Sequence, residues 1–207
     1  MKAVKLLPVL LIVGSFIAGC TEETKTSNTS QPVVTKNPLD APFRFHKAIE
    51  VKPGLTFDVL SWGRGSEMVG GLLILRSDST HLKYASTTDE LEGRIVDAWN
   101  MDMDSDGNPE IFIQAKGDQK DSYLNMYVYE FSNSGNEQKL RFPELSSSSK
   151  KNYRGKDSLY VKDDKIMREY PLFDDKDTAG VSPTGKKTLE YSLRGNSFNV
   201  KEIKDKE

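Results

Sequence analysis

Apolar and polar positions alternate along most of this chain, in short runs separated by turn residues. The first run is FRFHKAIEV from Phe43, and Pro53-Gly54 ends it. LTFDVLSW follows, with Leu55, Phe57 and Val59 on one face. After a glycine-punctuated break comes MVGGLLILR, in which Gly70-Gly71 suggests a bulge or a close backbone approach. HLKYAS reads as a short strand, residues 93–99 as another, and EIFIQA, β-branched and aromatic, as the next. DSLYVK and IMREYPLF, joined at Asp163-Asp164, read as a hairpin, and so do TLEYSL and SFNVKEI around Arg194-Gly195-Asn196. No segment carries a sustained helical stripe. The pattern predicts an all-β domain over residues 43–203, an antiparallel sandwich or a curled open sheet.

The periodicity also assigns faces. In YLNMYVYEF, Tyr123, Tyr127, Tyr129 and Phe131 share one side, and Leu124, Met126 and Val128 share the other. Both sides are apolar, so both should be covered. Leu189, Tyr191 and Leu193 share a face, with Phe198 and Val200 on another. Trp62 and Trp99 are expected in the core. His46 and His81, isolated from each other, read as surface or strand residues. The four serines at 146–149 read as a loop or a single helical turn, and residues 173–187 as one long loop.

The ends change the picture of where the domain sits. Lys2 and Lys5 precede an almost wholly apolar stretch over residues 6–17, too short to span a bilayer as a mature helix. Residues 1–19 therefore read as a secretory signal. Its ending, Ile17-Ala18-Gly19-Cys20, resembles a bacterial lipobox. The resemblance implies cleavage before Cys20, acylation of its thiol and new amino group, and a membrane-anchored lipoprotein of the cell envelope. Thr21 in place of aspartate implies the outer membrane in a Gram-negative envelope, on its periplasmic face or at the cell surface. Cys20 is the sole cysteine, so no internal disulfide can form. Residues 20–42, rich in Thr, Ser, Asn and Pro, read as a flexible tether, and residues 204–207 as a charged tail. The formal net charge is −2 and no basic run occurs, which excludes an electrostatic footprint for nucleic acid.

Between RIVDAW and EIFIQA lies the loop NMDMDSDGNP. Asp102, Asp104 and Asp106 alternate, Gly107 follows, and Glu110 closes the series. Carboxylates at alternate positions of a curled loop converge and repel one another unless a cation neutralises them. Calcium is hard, oxygen-seeking and tolerant of irregular geometry. The expected ligands are Asp102, Asp104, Asp106, Asn108 through its carbonyl, and Glu110, holding a structural calcium ion. The same residues also suit a tight turn with solvated side chains. Ile113 stands where an EF-hand would place its bidentate glutamate, which rules that motif out. The loop resembles the D-x-D-x-D-G acidic loop of integrin-type propeller repeats, although it is not repeated along this chain. No phosphate-binding loop, nucleophile elbow or His/Cys metal constellation is present, and no carboxylate is expected to be perturbed by an apolar run. The chain therefore does not read as an enzyme.

A wider resemblance covers residues 65–131. Val96-Asp97-Ala98, the acidic loop through Ile113, and Ser122-Tyr123-Leu124 follow one another as in the periplasmic inhibitors of invertebrate-type lysozyme. That resemblance implies a β protein that pairs as a homodimer and inserts a short loop into a lysozyme cleft. The corresponding loop here is Lys120, Asp121, Ser122 and Tyr123, charged where the family loop is small and neutral. Tyr123 equally suits a plain strand aromatic. Residues 168–193, with their Pro-Thr-Gly turn before a strand, resemble a part of uncharacterised exported lipoproteins. Two functions follow as expectations: a non-enzymatic envelope lipoprotein that binds a protein partner, in one form a lysozyme, or a calcium-stabilised β module that binds glycan or surface components.

Overall fold

A computed structural model describes residues 39–117 and 123–204. Cys20, the signal, residues 21–38 of the tether, Lys120, Asp121, Ser122 and the last three residues lie outside the described residues. Three four-stranded sheets carry the described part, each an antiparallel meander. The first is β1 (Phe43–Lys52), β2 (Leu55–Trp62), β3 (Val69–Asp78) and β4 (Lys83–Glu92). The second is β5 (Arg94–Met101), β6 (Glu110–Lys116), β7 (Leu124–Phe131) and β8 (Glu137–Leu140). The third is β9 (Ser158–Lys162), β10 (Lys165–Phe173), β11 (Pro183–Arg194) and β12 (Ser197–Ile203). Within each sheet every strand pairs with its neighbour in sequence, because short connections favour hairpins over crossovers. The fold is all-β, as the alternation requires. Its antiparallel strands form three open sheets, none closed into a barrel.

The middle sheet is covered on both sides. Ile111, Ile113 and Ala115 of β6, with Tyr129 and Phe131 of β7, pack against Ile49, Phe57, Val59, Leu72 and Ile74 of the first sheet. The rings of Phe57 and Phe131 meet at 4.6 Å across this core. On the opposite side, Phe112, Val128 and Leu140 pack against Ile166, Tyr170, Leu189, Tyr191 and Leu193 of the third sheet. Successive side chains of a strand point to opposite faces, so one β6 segment supplies both cores. Each fully buried large side chain contributes about 1.5–3 kcal/mol. The second core also holds a charge. Arg168 lies on the inward face of β10, where its Nε donates to Asp157 Oδ1 at 2.6 Å and its Nη2 to the Tyr153 hydroxyl at 3.1 Å.

Ser146 caps the single-turn helix α1 (Ser147–Lys150), accepting from the Ser149 backbone N–H. The hairpin at Asp163-Asp164 forms with both aspartates at positive φ. Gly70-Gly71 sits in a β2–β3–β4 ladder without register shifts, so there is a close approach and no bulge. The long loop is shorter than expected. Strand β11 begins at Pro183, beside a register shift against β10 between Leu172 and Phe173, as suits a proline at a strand's first position, and only residues 174–182 bend. Asp177 closes that bend by accepting from the N–H groups of Val181 at 3.0 Å and Ser182 at 2.8 Å. Trp99 stacks on Phe112 at 5.7 Å beside the second core. Trp62 does not enter a core: it is 45% exposed on the outer face of the first sheet. Its position at the end of β2 points it away from the inward series Leu55, Phe57, Val59 and Ser61.

Candidate metal centre

The acidic loop joins β5 to β6 within the middle sheet. Gly107 (φ 85°) and Ser105 (φ 61°) both take the left-handed conformation, which curls the loop on itself. Asp102 Oδ2 accepts from the Gly107 N–H at 3.1 Å. Asp106 Oδ1 accepts from the Asn108 N–H at 2.8 Å. The curl brings Asp102, Asp104, Asp106 and Glu110 together, each offering one oxygen, with the four oxygens within 4.8 Å of one another. Oxygens bound to one calcium ion at about 2.4 Å lie no more than about 4.8 Å apart, so the cluster can hold a metal ion. Asn108 has a different side-chain role. Its amide donates to Asp106 Oδ2 at 2.9 Å and accepts from the Asn133 N–H at 3.2 Å, tying the loop to the β7–β8 turn.

Glu110 is the anchor of the cluster. As the first residue of β6 it pairs with Met101 of β5 and Glu130 of β7, and it is fully buried. Its Oε2 accepts from the Met103 N–H at 2.7 Å, while its Oε1 has no partner. Burial pushes its pKa up to about 8, against one stabilising backbone hydrogen bond and with repulsion from Asp104, Asp102 and Glu130 added. The expectation that no carboxylate would be perturbed by apolar surroundings is therefore wrong. The sheet on either side of EIFI excludes water, which a single strand read alone does not reveal.

Glu130 is the residue the sequence reading missed. It is 7% exposed, and its Oε2 is also without a partner. Burial raises its pKa, with repulsion from Asp106, Asp104 and Asp102 adding to the effect and the Asn196 amide opposing it. A lone acid inside the apolar run of β7 was the available signal. Within the cluster, Asp104 Oδ1 is the third buried oxygen lacking a partner. Among the described residues no lysine, arginine or histidine forms an ion pair with any of these five carboxylates. An unpaired buried charge costs several kcal/mol, and a bound cation removes that cost.

The loop also reaches the third sheet. Asp104 Oδ2 accepts from the Gly195 N–H at 3.1 Å, in the β11–β12 turn. Asn196 of the same turn donates to Gln138 Oε1 at 2.9 Å and Glu130 Oε1 at 3.4 Å. The carboxylate cluster thus sits where the second and third sheets are strapped together.

Of the expected partner-binding loop, Tyr123 is the described member. It is half-exposed, and its ring lies 5.5 Å from that of Tyr153. Both line a cleft of about 440 Å³ together with Met126, Arg141 and Phe142. His46 pairs with Asp58 at 2.7 Å and His81 with Asp78 at 2.9 Å, each on the surface and apart from the acidic loop. No family model matches this chain, and no curated protein or solved structure matches it. Fold and site together define an all-β module with a candidate cation centre at its middle sheet.

Proposed function

We propose that this protein is a non-enzymatic lipoprotein of the cell envelope, anchored through Cys20, whose β body is closed by a structural calcium ion and presents a surface to a partner. The observation that carries the calcium reading is the set of three buried, partnerless oxygens: Asp104 Oδ1, Glu110 Oε1 and Glu130 Oε2. Oxygen-only ligands, several carboxylates and an irregular loop favour calcium over magnesium, which demands a tighter octahedron and keeps its waters. The ion's role is structural. Among the described residues the cluster has buried oxygens and no adjacent nucleophile–base pair, and it sits on the strap to the β11–β12 turn.

The test is thermal unfolding of residues 39–207 in calcium-free buffer and with calcium. A site occupied at a hundredfold excess over its Kd stabilises by about 2.7 kcal/mol, which raises Tm by about 5–10 °C for a domain of this size. Equal melting temperatures would retire the ion.

The partner reading is supported by the placement of Tyr123 at the rim of an aromatic-lined cleft. If the lysozyme-inhibitor resemblance carries function, the soluble domain inhibits an invertebrate-type lysozyme at micromolar concentration and Tyr123→Ala weakens it. Absence of inhibition by the native domain would remove that partner and leave the calcium-stabilised module standing.

A further inference from the structure

The outer face of the first sheet holds a feature that neither core requires. Trp62, Gly71 and Glu90 form one cross-strand row over β2, β3 and β4. The indole of Trp62 lies down along this row. A Cβ on Gly71 would stand 2.5 Å from Trp62 Nε1 and 2.6 Å from Cε2, so the ring fills the space a side chain at 71 would need. A Cβ on Gly70 would meet the Trp62 carbonyl oxygen at 2.6 Å. Glycine within a strand costs about 0.5–1 kcal/mol relative to alanine. Gly70 accepts that cost for a close approach to the β2 backbone, and Gly71 accepts it to make room for the Trp62 indole.

The ring covers Gly71, yet Trp62 as a whole stays nearly half exposed to solvent. The approach to it is a shallow cleft of about 690 Å³ lined by Trp62, Arg64, Val69, Gly71, Thr88 and Glu90, among others. The rim is held in shape by Arg44, whose Nη1 donates to the carbonyls of Ser66 at 2.7 Å and Val69 at 3.3 Å. The side chains of Arg64 and Glu90 make no hydrogen bond or ion pair among the described residues, which leaves a guanidinium and a carboxylate for a ligand. An exposed indole bordered by free polar groups suits a pyranose ring, whose C–H face stacks on the indole while its hydroxyls meet charged side chains.

We propose that Trp62 is the platform of a carbohydrate-binding site on the first sheet, and that it takes β-linked pyranoses with equatorial substituents, whose ring faces carry only C–H groups. Trp62 supplies the stacking surface. Glu90 and Arg64 accept from and donate to ring hydroxyls, and Thr88 extends the polar border. The site is independent of the calcium centre, which lies in the second sheet.

The chain has two tryptophans, so Trp99→Phe leaves Trp62 as the sole indole reporter. Chitotetraose and cellotetraose are titrated into that variant, with emission wavelength and acrylamide quenching as readouts. The expected result is a blue shift and protection from quenching with at least one of the two sugars. Calorimetry with the otherwise native domain should then show about a tenfold or greater loss of affinity in Trp62→Ala and a smaller loss in Trp62→Phe, which keeps a ring. Gly71→Ala should weaken binding although the indole is retained, because the ring can no longer lie flat. Far-UV circular dichroism checks that each variant folds. No response to either sugar up to about 10 mM overturns the proposal. So does undiminished binding by a folded Trp62→Ala, or a Trp62-dependent dimer in sedimentation that buries this face. A Trp62→Ala variant that loses stability in a protein without sugar response assigns the ring to covering Gly71 alone.

Discussion

Replacing Glu110 with glutamine separates the cost of the buried carboxylate from its proposed use as a calcium ligand. The side chain is fully buried, with one oxygen bonded to the Met103 N–H and the other without a partner. Its pKa is raised from 4.5 to about 8 in the calcium-free fold. Because the folded value lies above the unfolded one, the folded chain keeps a proton that the unfolded chain releases. Calcium-free stability therefore falls as pH rises from about 4.5 and levels off above about 8. The penalty from this group is about 1 kcal/mol at pH 5 and about 4 kcal/mol at pH 7.4. Glutamine keeps an acceptor for Met103 and carries no charge, so Glu110→Gln should be more stable than the native protein in calcium-free buffer at pH 7.4, by up to that amount. The advantage should shrink to about 1 kcal/mol or less at pH 5. Saturating calcium holds Glu110 ionised and paired, so the order should invert and the native protein should exceed the variant. Urea unfolding of both proteins at the two pH values, with and without calcium, measures all four differences. A variant less stable than native under every condition would refute the account of Glu110 as a desolvated, repelled ligand.

Three further outcomes follow from the packing. Arg168→Met strands Asp157 inside the second core and should cost about 3–5 kcal/mol in urea unfolding, whereas adding Asp157→Leu should recover much of it. Asp104→Ala removes both a proposed calcium ligand and the acceptor of the Gly195 N–H, so hydrogen exchange should quicken at residues 194–197, and added calcium should no longer slow it. Burial raises the pKa of Asp89, but hydrogen bonds from Lys139 and Tyr129 outweigh it and hold the carboxyl below its usual range. Its contribution is therefore present above the unfolded pKa and lost as pH falls through the folded one. Tyr129→Phe should cost about 1–2 kcal/mol at pH 7, and the difference from native should narrow toward pH 3 in urea titrations.

Much of this protein is written locally. Alternation in LTFDVLSW and TLEYSL identifies inward faces, because a strand's side chains have a period of two whatever surrounds it. The loop of alternating aspartates ending in Gly107 and Glu110 is legible for the same reason: its curl depends on residues within ten positions of one another. Three features depend on long-range contact. Nothing in a strand's own period says whether its second face meets water or another sheet, so the three-sheet stack was not visible from the runs. Glu130 joins the acidic centre only because β7 pairs with β6, and Arg168 meets Asp157 only because β10 folds back on β9. Trp62 shows the converse. Its size suggests a core residue, but strand parity turns it outward, and Gly71 on the next strand lays it flat. Local sequence determined strands, faces and the acidic bend. Tertiary packing decided which charges lost their water, since desolvation depends on neighbours the strand itself does not encode.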